Sequence, residues 1–471
     1  MEHYDLCVIG SGPAGQKAAV QAAKLGKRVC IIEKQQVLGG AAINTGTIPS
    51  KSLREAILHL TGFKHRGLMG ESYQVKQKIT IEDLIFWCQQ VIKAEIEIVR
   101  AQLQRNGVEI VSGLGVFQSA DWVLAVNGAD VKAINAEHVL ISTGTRPARP
   151  SDIPFDQHHI VDADGILKLP FLPRTLMVVG GGVIGTEYAS MMQALGVKVT
   201  LVEGRNRLME FLDAEIGEAL QYQLRQNGMT LRMGEKVVKV ELIDAPEGAA
   251  SRDGKLVQAT LESGKTLRAE CLLYCVGRQG NTEDLELEKV GVIYDDRGRI
   301  KVTPTYQTNV PTIYAAGDVI GFPALASTSM EQGRLAACHM FGKKTKSVPE
   351  LFPYGIYAIP EISMVGWTED KLTAEGIPFE TGVANYREIA RGQLLGDTAG
   401  MLKLLIHQET RAILGVHCIG NGATEIVHIG QAVMSLKGTV DYFVETVFNY
   451  PTLAECYKVA ALNGVNKLAH V

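Results

Sequence analysis

Gly10-Ser11-Gly12-Pro13-Ala14-Gly15 follows an apolar run, Leu6–Ile9, and opens an alanine-rich stretch that reads as a helix to about Leu25 and stops at Gly26. A second apolar run, Val29–Ile32, then ends at Glu33. The same order returns further on. Met177–Val179 leads into Gly180-Gly181-Gly182-Val183-Ile184-Gly185, a helix to Leu195, Gly196, the run Val199–Val202, and Glu203. The offset is constant: Gly10 to Gly180, Gly26 to Gly196, Glu33 to Glu203.

Each position has a physical reason. The first glycine permits the strand-to-helix turn, the second lets backbone approach a pyrophosphate, and the third lets helix pack on strand. The helix N-terminus offers unpaired N–H groups and a positive dipole end to phosphates. The acid closing the second strand suits a ribose diol. One glycine turn alone is weak evidence, and two unrelated α/β units are the competing explanation. Two copies with strand, helix and acid in register point to two dinucleotide-binding folds, usually for one flavin and one nicotinamide.

The chain of 471 residues is too long for one core. With 46% hydrophobic and 21% charged residues it is an ordinary folded composition. A formal charge of −4 gives no nucleic-acid surface, and the basic run Lys343, Lys344, Lys346 reads as a solvated loop. No stretch reaches the length of a membrane helix, and the chain enters a strand at Tyr4-Asp5-Leu6 without a signal-peptide core, so a cytoplasmic location is expected. The eight cysteines, Cys7, Cys30, Cys88, Cys271, Cys275, Cys338, Cys418 and Cys456, form neither Cys-x-x-Cys nor a metal pattern. All eight are expected to be buried, reduced thiols.

Three further segments carry a family resemblance. They are Gly39-Gly40-Ala41-Ala42-Ile43-Asn44-Thr45-Gly46-Thr47-Ile48-Pro49-Ser50-Lys51, Ser142-Thr143-Gly144-Thr145-Arg146-Pro147, and Thr308 through Tyr314-Ala315-Ala316-Gly317-Asp318. Over essentially its full length the chain resembles the flavoprotein disulfide-reductase family, dihydrolipoamide dehydrogenase and glutathione reductase among them. The resemblance implies an α/β fold with two Rossmann-like domains, for FAD and NAD(P), and a C-terminal α+β dimerisation domain. The FAD domain would be split over 1–150 and 279–345, the NAD(P) domain would be 151–278, and the interface domain 346–471. Gly10–Glu33 then serves FAD and Gly180–Glu203 the nicotinamide nucleotide. Asp318 would accept from a ribityl hydroxyl. Tyr274-Cys275-Val276-Gly277-Arg278 resembles the family's exit from the NAD(P) domain. The nucleotides would also meet Gly12, Pro13, Ala14, Gly15, Lys34, Gly39, Gly40, Gly115, Thr143, Gly144 and Ala326, together with Gly182, Val183, Ile184, Gly185 and Gly277.

The departures bear on the chemistry. Members of this family that reduce disulfides carry Cys-x4-Cys where this chain has Ala42 and Thr47, and a histidine where it has Tyr450 in Tyr450-Pro451-Thr452-Leu453-Ala454-Glu455. Thiol and thiol-activating base are absent together, so a disulfide substrate is not expected. Both segments resemble the versions in the family's transhydrogenase branch, some members of which keep the first cysteine. The resemblance implies hydride transfer between NADPH and NAD+ by a ping-pong path through flavin N5. An NAD(P)H-dependent quinone or electron-acceptor reductase stays open on the same scaffold. So does a non-catalytic flavin-binding or partner-binding protein, although retention of both glycine loops argues against it.

By resemblance Lys51 faces the flavin N5 edge and pairs with Glu187, beside the nicotinamide. Glu203 suits the free 2′-hydroxyl of NAD(H). Arg205 and Arg207 either read a 2′-phosphate or are ordinary exposed loop residues. Tyr450 would enter the partner subunit's site in a homodimer, or a larger homo-oligomer. Thr452-Leu453-Ala454-Glu455 also reads as a capping box opening the last helix.

Overall fold

The computed structural model describes residues 2–70, 72–345 and 351–468. Two compact units emerge. One comprises Met1–Leu53, Ile85–Ala148 and Gly277–Val348, the other Arg54–Leu84, Arg149–Val276 and Pro349–Val471. Lys343 and Lys344 are exposed outside any helix or strand, while Lys346 and the expected boundary beside it lie outside the described residues.

The first unit is built on a seven-stranded sheet. Glu109–Ser112, Val29–Glu33, Glu2–Ile9, Asp130–Ile141 and Ile313–Ala315 run parallel, and Trp122–Asn127 and Leu114–Ser119 extend the sheet antiparallel. Residues alternate between two cores: Leu6, Val8, Ile31 and Leu140 enter one, and Cys7, Ile9, Cys30, Ile32 and Ile141 the other. Burial of both faces explains why these strands are apolar without a polar alternation. The first strand starts at Glu2, earlier than its apolar core, because Glu2–Tyr4 pair with Ile134–Ala136. Ile9 and Ala315 both register with Ile141, so the chain leaves three neighbouring strands along one edge.

Helix Pro13–Lys24 has proline in its first turn and ends as Lys27 N–H reaches the Ala22 carbonyl at 3.2 Å across Gly26, whose φ is +78°. Helix Ala326–Met340 lies against it so closely that a Cβ at Gly333 would stand 2.0 Å from the Ala14 carbonyl oxygen.

In the second unit, Thr230–Met233, Lys198–Glu203, Thr175–Val179, Cys271–Tyr274 and Ile160–Asp162 form a five-stranded parallel sheet in that order. A three-stranded antiparallel sheet, Val237–Asp244, Lys255–Leu261 and Thr266–Ala269, accompanies it. The C-terminal part is a five-stranded antiparallel sheet, centred on Met401–His407 and Ile413–Ile419, with helices Ala423–Ser435 and Glu455–Leu468 in its core.

Two expectations are corrected. The last helix begins at Glu455, and the Thr452 hydroxyl donates to the Asn449 carbonyl at 2.8 Å, so it closes a turn and does not cap the helix. Seven cysteines are buried but Cys275 is half-exposed, because its strand ends at Tyr274 and Cys275 lies in the turn beyond. Among the described residues no helix is long and apolar enough to cross a membrane.

Candidate active site

At the edge where the three parallel strands of the first unit end, the expected glycine turn is confined by its neighbours. Gly10 has φ +102°, and a Cβ there would stand 2.5 Å from the Ser142 carbonyl oxygen. A Cβ at Gly15 would lie 2.0 Å from the Gly10 carbonyl oxygen. Gly12, by contrast, opens outward: its nearest neighbour would be Ser142 O at 3.9 Å. No side chain caps helix Pro13–Lys24, so its first N–H groups remain available to an anion.

Glu33 is buried at the end of its strand, where Oε2 accepts from the Ser11 N–H (2.9 Å) and hydroxyl (2.6 Å) and Oε1 from the Gln35 N–H (2.9 Å). Gly39 N–H donates to the Ser11 hydroxyl at 3.0 Å, drawing the Gly39-Gly40 turn to the same place. A Cβ at Gly40 would meet Gly12 Cα at 2.9 Å. Gly115, on the antiparallel strand, abuts Ile9. Asp318 lies within 3.4 Å of the Thr145 and Ser329 hydroxyls. The Thr143 hydroxyl oxygen is buried without a hydrogen-bond partner among the described residues. An orphaned donor beside an uncapped helix and an open glycine fits a phosphate-rich dinucleotide. Ala326 starts its helix half-buried and Lys34 is exposed.

Asn281 was not legible as part of this edge. Its side chain donates to the Thr143 carbonyl at 2.9 Å and its N–H to the Gly144 carbonyl at 3.0 Å. Arg278 likewise holds Thr145 through its hydroxyl (2.7 Å) and carbonyl (2.8 Å). Gly277 is exposed, with its carbonyl bound by the Ala148 N–H at 3.2 Å.

Helix Gly40–Asn44 carries Ala42, and Thr47 is the exposed first residue of helix Thr47–Leu60. Lys51 Nζ contacts the Ser50 hydroxyl at 3.2 Å. A thiol does approach this segment: Cys88 Sγ lies 3.7 Å from the Pro49 carbonyl. It is buried, and burial pushes its pKa up to about 11, so it is held as a protonated thiol.

The second unit repeats the cradle. Gly180 has φ +105°, a Cβ at Gly185 would lie 1.9 Å from the Gly180 carbonyl oxygen, and a Cβ at Gly182 would meet nothing within 4 Å. Helix Val183–Ala194 again has no side-chain cap, so Val183 and Ile184 present free N–H ends. Glu203 accepts the Gly181 N–H at 2.6 Å. It also accepts the Arg205 N–H at 2.9 Å and a two-pronged guanidinium contact at 2.9 and 3.0 Å. Burial works to raise the Glu203 pKa, but the Arg205 and Gly181 hydrogen bonds outweigh it and hold the carboxyl below its usual range. Arg205 is half-exposed, and Arg207 pairs with Asp370 at 3.2 Å.

The loop after Glu203 is anchored at its far end by buried charge. Asp213 and Lys403, both fully buried, meet at 2.8 Å. Glu187 is buried, and its Oε1 accepts the Tyr357 N–H at 2.8 Å; one turn on, Ser190 accepts the Ile359 N–H at 3.0 Å. Lys51 belongs to the first unit and Glu187 to the second. Tyr450 is 73% exposed and its ring is not packed in the core of its own chain.

A family model described as pyridine nucleotide-disulphide oxidoreductase matches residues 4–333, and a second, for the dimerisation domain of the same family, matches 352–461. A soluble pyridine nucleotide transhydrogenase of Mycobacterium tuberculosis is 53% identical over 470 residues, covering 99% of this chain and 98% of its own. Another, of Colwellia psychrerythraea, is 44% identical over 471 residues with 99% and 98% covered. Among solved structures, LpdA from Mycobacterium tuberculosis superposes with a TM-score of 0.87 at 25% identity, covering 98% of this chain and 99% of its own. The HOCl-induced flavoprotein disulfide reductase RclA from Escherichia coli gives 0.85 at 26%, with the same coverage.

Proposed function

The chain belongs to the pyridine nucleotide-disulphide oxidoreductase family, and from that premise we infer that it is a FAD-dependent transhydrogenase moving hydride between NADPH and NAD+. The observation that carries this reading is the pairing of two dinucleotide cradles with Ala42 and Thr47 at the positions where sulfur would be needed. When bound, FAD supplies a two-electron centre that accepts and returns hydride.

In this reading the N–H groups of helix Pro13–Lys24 and the open backbone at Gly12 hold the FAD pyrophosphate. Glu33 takes the adenosine ribose, Asp318 the ribityl chain, and the Thr143 hydroxyl finds its missing partner on the cofactor. Lys51 supplies a cation to the site, and a positive charge there favours the anionic reduced cofactor. The N-terminus of helix Val183–Ala194 and Gly182 take the nicotinamide nucleotide, and Glu187 fixes the backbone at Tyr357.

Glu203 and Arg205 give one pocket two faces. With NAD(H), the Arg205 guanidinium yields one of its two contacts on Glu203, and the buried carboxylate receives the ribose hydroxyl in its place. With NADP(H), the guanidinium turns from the carboxylate to the 2′-phosphate, a geometry its planar fork suits. Domain limits of 1–150 with 279–345, 151–278 and 346–471 accompany this reading. So do a cytoplasmic location and a homodimer, or a larger assembly, in which Tyr450 enters the partner's site.

The test is anaerobic stopped-flow absorbance. NADPH should bleach the flavin, and added NAD+ should restore its colour at a rate equal to or above steady-state turnover. Bleaching that NAD+ does not reverse, but benzoquinone does, would replace this activity with quinone reduction.

A further inference from the structure

Among the described residues, two clusters bring three metal-ligating groups within 4.8 Å of one another. The first, Asp213, Glu215 and Glu369, already surrounds a cation. Lys403 Nζ lies 2.8 Å from Asp213 and 2.9 Å from Glu215, and also touches Glu369. The second is His158, His159 and Asp253, on the flank of the second unit's parallel sheet. Among the described residues, no lysine or arginine side chain contacts its ligand atoms. Arg252 lies over the Phe171 ring, and Lys255 Nζ is taken by Asp244 at 2.6 Å.

The ring of His159 is oriented before any ligand arrives. Asp156 Oδ1 accepts the N–H groups of His158 (2.9 Å), His159 (2.8 Å) and Ile160 (2.8 Å), and its Oδ2 faces His159 Nδ1 at 2.9 Å. With Nδ1 turned to Asp156, Nε2 is the ring atom left to meet a ligand. That nitrogen faces Asp253 Oδ2 at 2.9 Å. A ring nitrogen and a carboxylate oxygen at that distance share either a proton or a metal ion. Two ligand atoms about 2.1 Å from one ion stand about 3.0 Å apart at a right angle and about 3.4 Å apart at the tetrahedral angle. His158 supplies a third donor, its ring meeting those of His159 and Phe171 edge-on at centroid distances of 4.6 and 5.1 Å.

We propose that His158, His159 and Asp253 bind one divalent transition-metal ion of the zinc class, with Asp156 as the outer carboxylate that orients His159. Two imidazoles and one carboxylate favour such an ion over magnesium or calcium, and a carboxylate behind a ligating imidazole is the usual support of such sites. The ion would join the 156–160 loop to the 251–255 turn, which lie far apart in sequence. This site is independent of the hydride-transfer reading.

The experiment uses untagged, FAD-loaded, full-length protein stripped with a chelator, then passed through gel filtration with excess Zn2+ and counted for metal by mass spectrometry. One Zn2+ per chain should be retained, and Zn2+ should raise the thermal midpoint. Asp253→Asn, at an exposed turn, and His158→Ala should each weaken Zn2+ binding by about tenfold or more, while FAD content and the metal-free midpoint stay at wild-type values. Cys275→Ser, removing the half-exposed thiol, should change nothing. Co2+ in place of Zn2+ should give visible d–d bands that vanish in Asp253→Asn. Absence of retained Zn2+, equal retention by both variants, or loss of binding in Cys275→Ser alone would each overturn the site.

Discussion

Gly182→Ala is expected to weaken nicotinamide nucleotide binding while leaving the fold intact. Gly182 has φ −75° and ψ −174°, an extended conformation that alanine adopts without strain, and the added methyl would meet no heavy atom within 4 Å. Replacing glycine at a compatible position stabilises by roughly 0.4–1 kcal/mol through the unfolded chain. Alanine is poorer than glycine at a helix N-cap, which offsets much of this gain. The net change in stability is therefore within about 1 kcal/mol. The methyl projects into the space where backbone would approach the pyrophosphate. Losing one charge-assisted hydrogen bond costs about 1.5–3 kcal/mol, or roughly a 10- to 150-fold rise in Kd. Titration calorimetry with ADP-ribose measures that change, and flavin-to-protein ratio and thermal midpoint report the fold. An unchanged Kd refutes the assignment of this loop. So does a loss of FAD and midpoint together, because the damage would then be structural. Gly185→Ala is the counter-case: its methyl would lie 1.9 Å from a backbone oxygen, so it should destabilise the second unit outright.

Arg205→Ala should raise the Kd for 2′-phospho-ADP-ribose by about 10- to 150-fold, the loss of one charge-assisted contact, and move that for ADP-ribose by about threefold or less; equal losses on both would remove Arg205 as the discriminating group. Thiol alkylation of the native protein should leave transhydrogenation largely unchanged, since seven cysteines are buried and burial raises the Cys88 thiol; stoichiometric inactivation that a nicotinamide nucleotide prevents would contradict this. His417 is fully buried, and burial pushes its pKa below the ordinary value, so the folded state binds its proton less readily than the unfolded chain. The stability it contributes is present above about pH 6.5 and is lost as pH falls through the unfolded value. The thermal midpoint should thus fall between pH 7.5 and 5.5, less steeply in His417→Asn; identical slopes in the two proteins would assign the acid sensitivity elsewhere.

What could be read from the sequence was the chemistry that lies close in the chain. A glycine turn, the helix it opens and the acid at the next strand end fall within about 25 residues, and each has a local reason to be what it is. Glu203 and Arg205 stand two residues apart, so their competition for one pocket was visible, although the geometry of their contact was not. The supports of the same site come from elsewhere. Asn281 holds Thr143 across 138 residues and Lys403 meets Asp213 across 190, and no periodicity links such pairs. Thr452 shows the opposite failure, a correct local motif overridden when its hydroxyl closes a turn on Asn449. The second cradle follows the same logic. Its phosphate-facing glycines are fixed by neighbours within one strand–helix step. The loop proposed to read the 2′ position is instead fixed at its far end by buried Asp213–Lys403 and along its course by Arg207–Asp370. On the proposed reading, phosphate binding is a property of the local motif, whereas discrimination between the two nicotinamide nucleotides depends on a loop whose anchors lie in the C-terminal part of the chain. Substitutions at those anchors should shift the NADP/NAD preference without touching either nucleotide.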